Sequence, residues 1–199
     1  LKDIDPRVVT VIGAGVSGTQ SIHKAIENHA HVKVVDSSQK KLSQLESELG
    51  SENIEYILST DESVQSSINE SDLVIGSVYV VGKEAPKVVK KEMLKSMNPG
   101  TVMVDVSIDQ GGCFETSEPT THDNPTFIKN DIVHYCVTNM PGAVPLTATL
   151  ALNKATLSYI TELADKGIQK ALEENEHLNN GLNISNGNII HPGVKEALD

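Results

Sequence analysis

The sequence is poor in aromatic residues and in positive charge. Its 199 residues include no Trp, two Phe and four Tyr, so a core has to be built from Val, Ile, Leu and Ala. Sixteen Lys and Arg stand against 27 Asp and Glu, which gives a formal net charge of −11. Because so acidic a chain repels phosphate backbones and anionic lipid surfaces, we expect no nucleic-acid and no membrane partner.

Cysteines and long apolar runs are scarce as well. Cys113 and Cys136 lack the spacing of a redox pair or a metal site, so we expect two reduced structural thiols and no metal. No apolar run approaches the ~20 residues that span a bilayer, and no signal peptide pattern opens the chain. The predicted location is therefore the cytoplasm. The first residue is Leu1 rather than Met, from which we expect a portion of a longer protein.

Short apolar strands alternate with helical stretches over most of the chain. The pattern predicts strands at 7–12, 31–35, 54–58, 73–75, 101–106 and 132–137, and helices at 16–29, 39–49, 61–71 and 85–97. This alternation is typical of an α/β fold, here a Rossmann-type doubly wound, mostly parallel six-stranded sheet. Residues 145–178 are predicted to be helical throughout. We therefore expect a dinucleotide-binding domain at 1–142 and a helical C-terminal arm at 143–199.

A glycine-rich segment, G-A-G-V-S-G, begins at Gly13, directly after the first strand, and opens the first helix. In this context Gly13 makes the tight turn, Gly15 lets the backbone approach a pyrophosphate, and Gly18 allows close packing of helix on strand. The first helical residues, Val16 and Ser17, offer unpaired N–H groups to phosphates. The alternative is a tight turn without a ligand.

Asp36 ends the second strand, where a dinucleotide fold keeps the carboxylate that binds the adenosine ribose hydroxyls. A carboxylate there repels a 2′-phosphate, which favours NAD over NADP. Lys40 and Lys41 follow closely and argue weakly in the other direction. The alternative role for Asp36 is to cap the next helix.

Two loops follow the fifth and sixth predicted strands, at the edge of the sheet where open α/β folds bind ligands. In the first loop, Asp109 precedes Gln110 and two glycines. It can orient water or an amine, bind a ribose, or simply cap the turn. In the second loop, Asn139 carries both a donor and an acceptor. His134 alternates with apolar residues and is expected in the core.

At these residues the chain resembles the NAD-binding and C-terminal portions of bacterial alanine dehydrogenases, over essentially its whole length. The matching strings are V-I-G-A-G at 11–15, D-L-V-I-G at 72–76, A-P-K at 85–87, V-D-V-S-I-D-Q-G-G-C at 104–113, P-T-T-H at 119–122, H-Y-C-V at 134–137 and N-M-P-G-A-V-P at 139–145. Two positions, Glu118 and Leu146, depart from the basic residues usual in that family.

The resemblance implies reversible oxidative deamination of L-alanine to pyruvate and ammonia with NAD, in a homo-oligomeric, hexameric enzyme. It implies that Asp109 is catalytic, and that an N-terminal domain outside this sequence supplies the substrate-binding Arg and Lys and a catalytic His. The chain alone is then expected to bind NAD without turning over alanine. The implied NAD contacts, beyond the glycine segment, are Asp36, Lys41, Ser59, Val78, Tyr79, Val106, Ser107, Ile108, Asp109, Val137, Thr138, Asn139 and Met140.

Two other functions remain open at this point. The first is a nucleotide-binding subunit of a proton-translocating transhydrogenase, whose corresponding segment resembles a Glu-containing string with Asn before Cys, unlike I-D-Q-G-G-C here. The second is a non-catalytic NAD-binding module, which would bind NADH tightly without dependence on alanine or pyruvate.

Overall fold

The structure, a computed structural model, describes residues 5–198. Seven strands form one sheet, in the order β3-β2-β1-β4-β5-β7-β6. The strands are β1 (Val8–Ile12), β2 (His31–Asp36), β3 (Ile54–Leu58), β4 (Leu73–Gly76), β5 (Val102–Asp105), β6 (Thr126–Lys129) and β7 (Ile132–Tyr135). The chain order reverses between β1 and β4, and ligands bind at such a switch point in open α/β sheets.

The predicted Rossmann-type, mostly parallel sheet is confirmed, and all six predicted strands pair in parallel. The strand number of six is wrong, because β6 adds an antiparallel edge strand to β7. Asn130 and Asp131 join the two, both with positive φ, which is the geometry of a two-residue hairpin turn. The segment T-F-I-K was missed because an edge strand needs no apolar run, and Ile128 is 72% exposed.

Three helices connect the first strands, α1 (Val16–Glu27), α2 (Gln39–Leu49) and α3 (Asp61–Asn69). Each buries one apolar stripe against the sheet, with Ile22 and Ala25 from α1 and Leu42 and Leu45 from α2. Val11, Val32 and Val34 lie beneath α1 and α2, in one of two buried clusters. Strands rich in β-branched residues therefore form this core without large aromatic residues.

The predicted helix at 85–97 is wrong. The structure has only a 3-10 helix, Lys91–Ser96, preceded by extended backbone. Pro86 has no N–H, and the N–H groups of Ala85 and Val88 donate to the carbonyls of Gln110 and Cys113, at 2.9 and 2.8 Å. These tertiary hydrogen bonds replace the bonds that a helix would form.

The chain divides into two units by its internal contacts, residues 5–80 with 84–138, and residues 81–83 with 139–198. The second contains α4 (Pro145–Lys166), α5 (Ile168–Glu174), α6 (Glu176–Asn180) and α7 (Pro192–Leu198). The predicted helical character of residues 145–178 is confirmed, as three consecutive helices without a strand between them. They are separated at Gly167, which has φ +75, and at Asn175, which caps α6.

Within the second unit a short hairpin, β8 (Ile184–Ser185) with β9 (Asn188–Ile189), turns at Asn186 and Gly187. Both turn residues have positive φ, and Asn-Gly is the sequence that such a turn favours. The chain between α6 and α7 therefore contains a hairpin. Among residues 5–198 no helix combines the length and apolarity needed to cross a membrane.

Candidate nucleotide site

The three motif glycines between β1 and α1 have different surroundings. A Cβ added to Gly13, which has φ +99, would lie 2.6 Å from the carbonyl oxygen of Ser77, and one added to Gly18 would lie 1.8 Å from that of Gly13. A Cβ on Gly15 would meet nothing within 4 Å. Tight folding of the turn therefore explains Gly13 and Gly18, but it leaves Gly15 without a structural reason.

Helix α1 begins at this turn without a side-chain cap on its first N–H groups. Val16, its first residue, is 87% exposed. Uncapped N–H groups and the positive end of the helix dipole together make an anion-binding position. The turn thus offers hydrogen-bond donors at the place where Gly15 leaves space.

Asp36 lies buried at the carboxyl end of β2, next to the same turn. One carboxylate oxygen accepts from the Ala14 N–H at 2.7 Å, and the other accepts from the Ser38 N–H at 2.8 Å. The alternative that Asp36 caps α2 is wrong, because Ser38 occupies that position and accepts from the Lys41 N–H. Each carboxylate oxygen has a second lone pair, so Asp36 can still accept from hydroxyl groups.

Lys41 and Ser59 lie beside Asp36. The Lys41 ammonium is 3.9 Å from the Asp36 carboxylate, and the Ser59 N–H donates to the Asp36 carbonyl at 3.0 Å. The structure therefore brings the three residues assigned to the adenosine end into one neighbourhood.

A cavity of about 340 Å³ lies at the carboxyl ends of β4 and β5. It is lined by Ser17, Ser77, Val78, Tyr79, Val106, Ser107, Asp109 and Gln110. Three segments that are far apart in the sequence line this cavity: the start of α1, the residues that follow β4 and the residues that follow β5. Ile108 is predicted to contact NAD but is itself 4% exposed, so its side chain belongs to the core.

A larger cavity, of about 810 Å³, lies near the amino end of β1 and is lined by Arg7, Lys24, Asn28 and Leu73 among others. None of the predicted site residues lines it. Ligands of open α/β sheets bind at the carboxyl ends of the strands, so the smaller cavity is the functional candidate.

Asp109 lies within a single 3-10 turn, Ile108–Gln110. The N-cap position of that turn is occupied by Ser107, so Asp109 does not have the capping role that the sequence left open. The Ser107 hydroxyl donates to the Val78 carbonyl at 2.8 Å, and this hydrogen bond joins the residues that follow β5 to those that follow β4. The side-chain oxygen of Gln110 is buried and has no hydrogen-bond partner among the described residues.

Asp105, at the end of β5, is a residue that the sequence reasoning missed. Its side chain is fully buried and accepts from five donors: the N–H groups of Ser107, Cys113 and Phe114, the Ser117 hydroxyl and the Cys113 thiol. A buried carboxylate is tolerated only when it is fully hydrogen bonded. The available signal was an acidic residue at a strand end followed by Gly-Gly.

The remaining predicted contacts follow β7. Val137 is buried, and the Thr138 N–H donates to the Thr120 carbonyl at 3.1 Å, both in the first unit. Asn139 and Met140 open the second unit, where Asn139 has φ +53 and precedes a 3-10 turn, Met140–Ala143.

His134 is a core residue, as predicted. Its ring is fully buried, lies 2.8 Å from the Thr116 hydroxyl and 3.1 Å from the Ile132 carbonyl, and stacks on Phe127. Burial lowers the pKa of His134 below its ordinary value. Hydrogen bonding and stacking therefore account for this histidine without a ligand.

Both cysteines are free and buried. Burial, with the Asp105 carboxylate as a second cause, raises the pKa of the Cys113 thiol well above its usual range, and burial also raises the pKa of Cys136. Neither side chain has the features of a reactive thiol.

Glu118, which departs from the resembled family, forms an ion pair with Lys129 at 2.6 Å. The hydrogen bond and the charge of Lys129 lower the pKa of Glu118. The acidic residue is thus paired with a base on β6.

Comparison with known proteins gives consistent results. Residues 1–192 match the family described as "Alanine dehydrogenase/PNT, C-terminal domain". The chain is 47% identical to alanine dehydrogenase of Halomonas elongata over 194 residues, 98% of this chain and 52% of that protein. The chain spans about half the length of the curated relatives it matches.

Among solved structures, an L-alanine dehydrogenase matches with a TM-score of 0.86 and 41% identity, over 100% of this chain and 54% of the other. The transhydrogenase from Sinorhizobium meliloti matches with a TM-score of 0.76 and 24% identity, over 94% and 53% of the two chains. At that identity the second likeness shows the fold alone. Its lower identity makes the transhydrogenase the more distant match.

Proposed function

The chain belongs to the alanine dehydrogenase/PNT C-terminal domain family, and from that membership we propose that it is the cofactor-binding half of an NAD-dependent L-alanine dehydrogenase. The family and its Rossmann domain imply a nicotinamide nucleotide cofactor. The single observation that carries the proposal is the arrangement of Asp36, the open Gly15 turn and the cavity with Asp109 along one edge of the sheet.

The residues present fit a dinucleotide. Gly15 leaves room where a Cβ would meet nothing, and α1 offers uncapped N–H groups beside it, so the pyrophosphate is assigned to Gly13, Gly15, Val16, Ser17 and Gly18. The adenosine ribose is assigned to Asp36, with Lys41 and Ser59 beside it. The nicotinamide end is assigned to Val78, Tyr79, residues 106–109, Val137 and Thr138.

NAD, rather than NADP, is the proposed cofactor because of Asp36. Its carboxylate can accept from two ribose hydroxyls, whereas a 2′-phosphate would place negative charge against it. The ammonium group of Lys41 is 3.9 Å from the Asp36 carboxylate. Because the Asp36 carboxylate neutralises part of its positive charge, Lys41 would attract a 2′-phosphate less strongly.

In the proposed reaction, NAD supplies a hydride acceptor when bound, and the chain supplies position and charge. The β5 loop directs Asp109 to the cavity, where its carboxylate would orient the attacking water or ammonia, or stabilise positive charge on the substrate nitrogen. The general acid/base and the groups that bind the substrate carboxylate are assigned to an N-terminal domain outside this sequence.

The rest of the proposal concerns the whole enzyme. Its substrates are L-alanine in one direction and pyruvate with ammonia in the other, its assembly is homo-oligomeric, and its location is the cytoplasm. Residues 1–142 are assigned to the NAD-binding domain, and residues 143–199 to a helical arm that belongs with the catalytic domain; residues 1–4 and 199 lie outside the described residues.

The test is a steady-state assay of NADH formation at 340 nm from L-alanine and NAD. The longer protein that contains this chain is expected to turn over, and the 199-residue chain alone is not. In the longer protein, Asp109→Asn should lower kcat by about 100-fold or more, the usual loss for a group that stabilises developing charge. Asp123→Asn, on an exposed loop, is the matched control. Full activity of Asp109→Asn, or turnover by the isolated chain, would contradict the proposal.

A further inference from the structure

Lys87 contacts the loop that carries Asp109. The loop, residues 106–112, leaves β5 and is named here the Gly-Gly loop. The Lys87 ammonium donates to the carbonyl oxygen of Gly111 at 2.5 Å and to that of Gly112 at 2.7 Å. The N–H groups of Ala85 and Val88, close to Lys87 in the chain, donate to the carbonyls on either side of those two, of Gln110 and Cys113. Together, residues 85–88 therefore donate hydrogen bonds to the four consecutive carbonyls of residues 110–113.

The two glycines allow this contact. Gly111 and Gly112 have φ +84 and +78, in the left-handed region that side chains disfavour. A Cβ on Gly112 would lie 2.7 Å from the Asp105 carboxylate, so the backbone lies directly against that group. In this conformation the two consecutive carbonyls turn to a single cation.

Asp105 holds the same loop through its N–H groups. Its carboxylate accepts from Ser107 at the beginning of the loop and from Cys113 and Phe114 just beyond the end. A buried anion thus fixes one N–H group within the loop and two just beyond its end, and an exposed cation fixes the last two carbonyls of the loop. Charge-assisted hydrogen bonds of this kind are stronger than neutral ones.

The geometry points to Lys87 as a positioning residue that, together with Asp105, clamps the Gly-Gly loop before the cofactor arrives. The clamp holds Val106, Ser107 and Asp109 at the wall of the cavity, so that binding does not have to order the loop. A site whose groups are already fixed loses less entropy on binding. This inference rests on the proposed function, because it assigns the cavity to a nicotinamide nucleotide.

Lys87 can be tested without unfolding the protein, because its side chain is exposed. Lys87→Met keeps most of the apolar stem and removes every donor. Lys87→Arg is the conservative variant, since its planar group has several donors that can bridge two neighbouring carbonyls. Lys95→Met, an exposed lysine in the 3-10 helix Lys91–Ser96, is the matched control.

The first readout is hydrogen exchange in the cofactor-free chain. The N–H groups of Gln110, Gly111 and Gly112 are hydrogen bonded within the loop, so their exchange reports its opening. In Lys87→Met we expect exchange over 106–112 to be about tenfold faster, with β1 and β2 unchanged. Lys87→Arg and Lys95→Met should match the parent chain.

The second readout is NADH affinity by titration calorimetry. We expect the Kd of Lys87→Met to rise by about five- to tenfold, and that of Lys87→Arg and Lys95→Met to stay within about twofold. Unchanged exchange in Lys87→Met would overturn the clamp, and faster exchange with unchanged NADH affinity would overturn its positioning role. If the parent chain fails to bind NADH, the proposed function fails, while the exchange comparison still decides whether Lys87 holds the loop.

Discussion

At the scale of single residues, Asp36 is the residue to which we assign the preference for NAD over NADP. Replacing it with Ala removes the acceptor for ribose hydroxyls and the partner of the Ala14 N–H. We expect the Kd for NADH to rise by about tenfold or more, since hydrogen bonds to charged groups contribute ~1.5–3 kcal/mol. The Kd for NADPH should change less, because the same substitution removes a repulsion. Titration calorimetry with both cofactors measures the difference.

The control for this substitution is Glu52→Ala, which removes an exposed carboxylate in the turn before β3 and should leave both affinities unchanged. An equal loss of affinity for NADH and NADPH in Asp36→Ala would contradict the ribose role. The sequence predicted the position of Asp36, but the bond to Ala14 is tertiary and could not be read from it.

The buried thiols give a second prediction at this scale. Because Cys113 and Cys136 are buried and their pKa values are raised, little thiolate is available for reaction. We expect no labelling by 5,5′-dithiobis(2-nitrobenzoate) in the folded chain at neutral pH, and labelling of both thiols in guanidinium chloride. Rapid labelling of the folded chain would show that one of them is accessible.

His134 makes the stability of the fold depend on pH. Its pKa is lowered in the folded chain by burial, so the unfolded chain binds a proton there more readily. We therefore expect the contribution of His134 to stability to be fully present above the ordinary histidine pKa of 6.5 and to be lost as the pH falls below it, by at most about 1.4 kcal/mol per pH unit.

Urea unfolding between pH 7.5 and 5.5 measures this slope, and His134→Gln should be less stable at pH 7.5 but should show a weaker pH dependence. The slope in the parent chain and in the variant would be equal if His134 were not its source. The alternating apolar pattern predicted the buried position, whereas the bond to Thr116 joins distant segments and came only from the structure.

At the scale of elements, we expect two glycines of the β1–α1 turn to differ in role, with Gly15 needed for cofactor binding and Gly18 for folding. Gly15→Ala places a Cβ where nothing lies within 4 Å, so we expect unchanged thermal stability but a rise in the NADH Kd of about tenfold or more, because the methyl group would meet the pyrophosphate. Gly18→Ala meets the Gly13 carbonyl and should destabilise the chain itself. Differential scanning fluorimetry and calorimetry together make the comparison. Equal NADH affinity in Gly15→Ala and the parent would exclude the turn from the site.

The elements differ in how far the sequence predicts them. Buried strands and amphipathic helices such as α2 follow from local periodicity, and the bounds of α2 and β3 agree with the predictions. The segment at 85–97 could not be predicted in the same way, because its apolar spacing suits a helix while its N–H groups pair with the β5 loop. Local pattern fails where a tertiary partner takes over the backbone hydrogen bonds.

The residues of the site likewise differ in how far the sequence predicts them. The glycine motif, Asp36 and the strand-end position of Asp109 follow from short-range spacing and from the family resemblance. The roles of Asp105 and Lys87 depend on contacts between segments that neither motif nor periodicity connects. Such positioning residues are visible only when the folded backbone brings a strand end and a distant lysine to one loop.

At the scale of the whole molecule, we expect this chain to bind the cofactor without turning over substrate. The residues that we assign to NAD lie within this chain, whereas we propose that the general acid/base and the substrate-binding residues belong to an N-terminal domain outside it. The chain spans about half the length of its relatives, and positioning of substrate against cofactor needs both halves.

The most direct test of the central claim is the titration of the 199-residue chain with NADH and, separately, with NADPH. We expect one NADH site per chain and loss of NADH affinity in Gly15→Ala. We also expect NADH to bind at least about tenfold more tightly than NADPH, which corresponds to ~1.4 kcal/mol. Absence of NADH binding, or a preference for NADPH, would contradict the central claim.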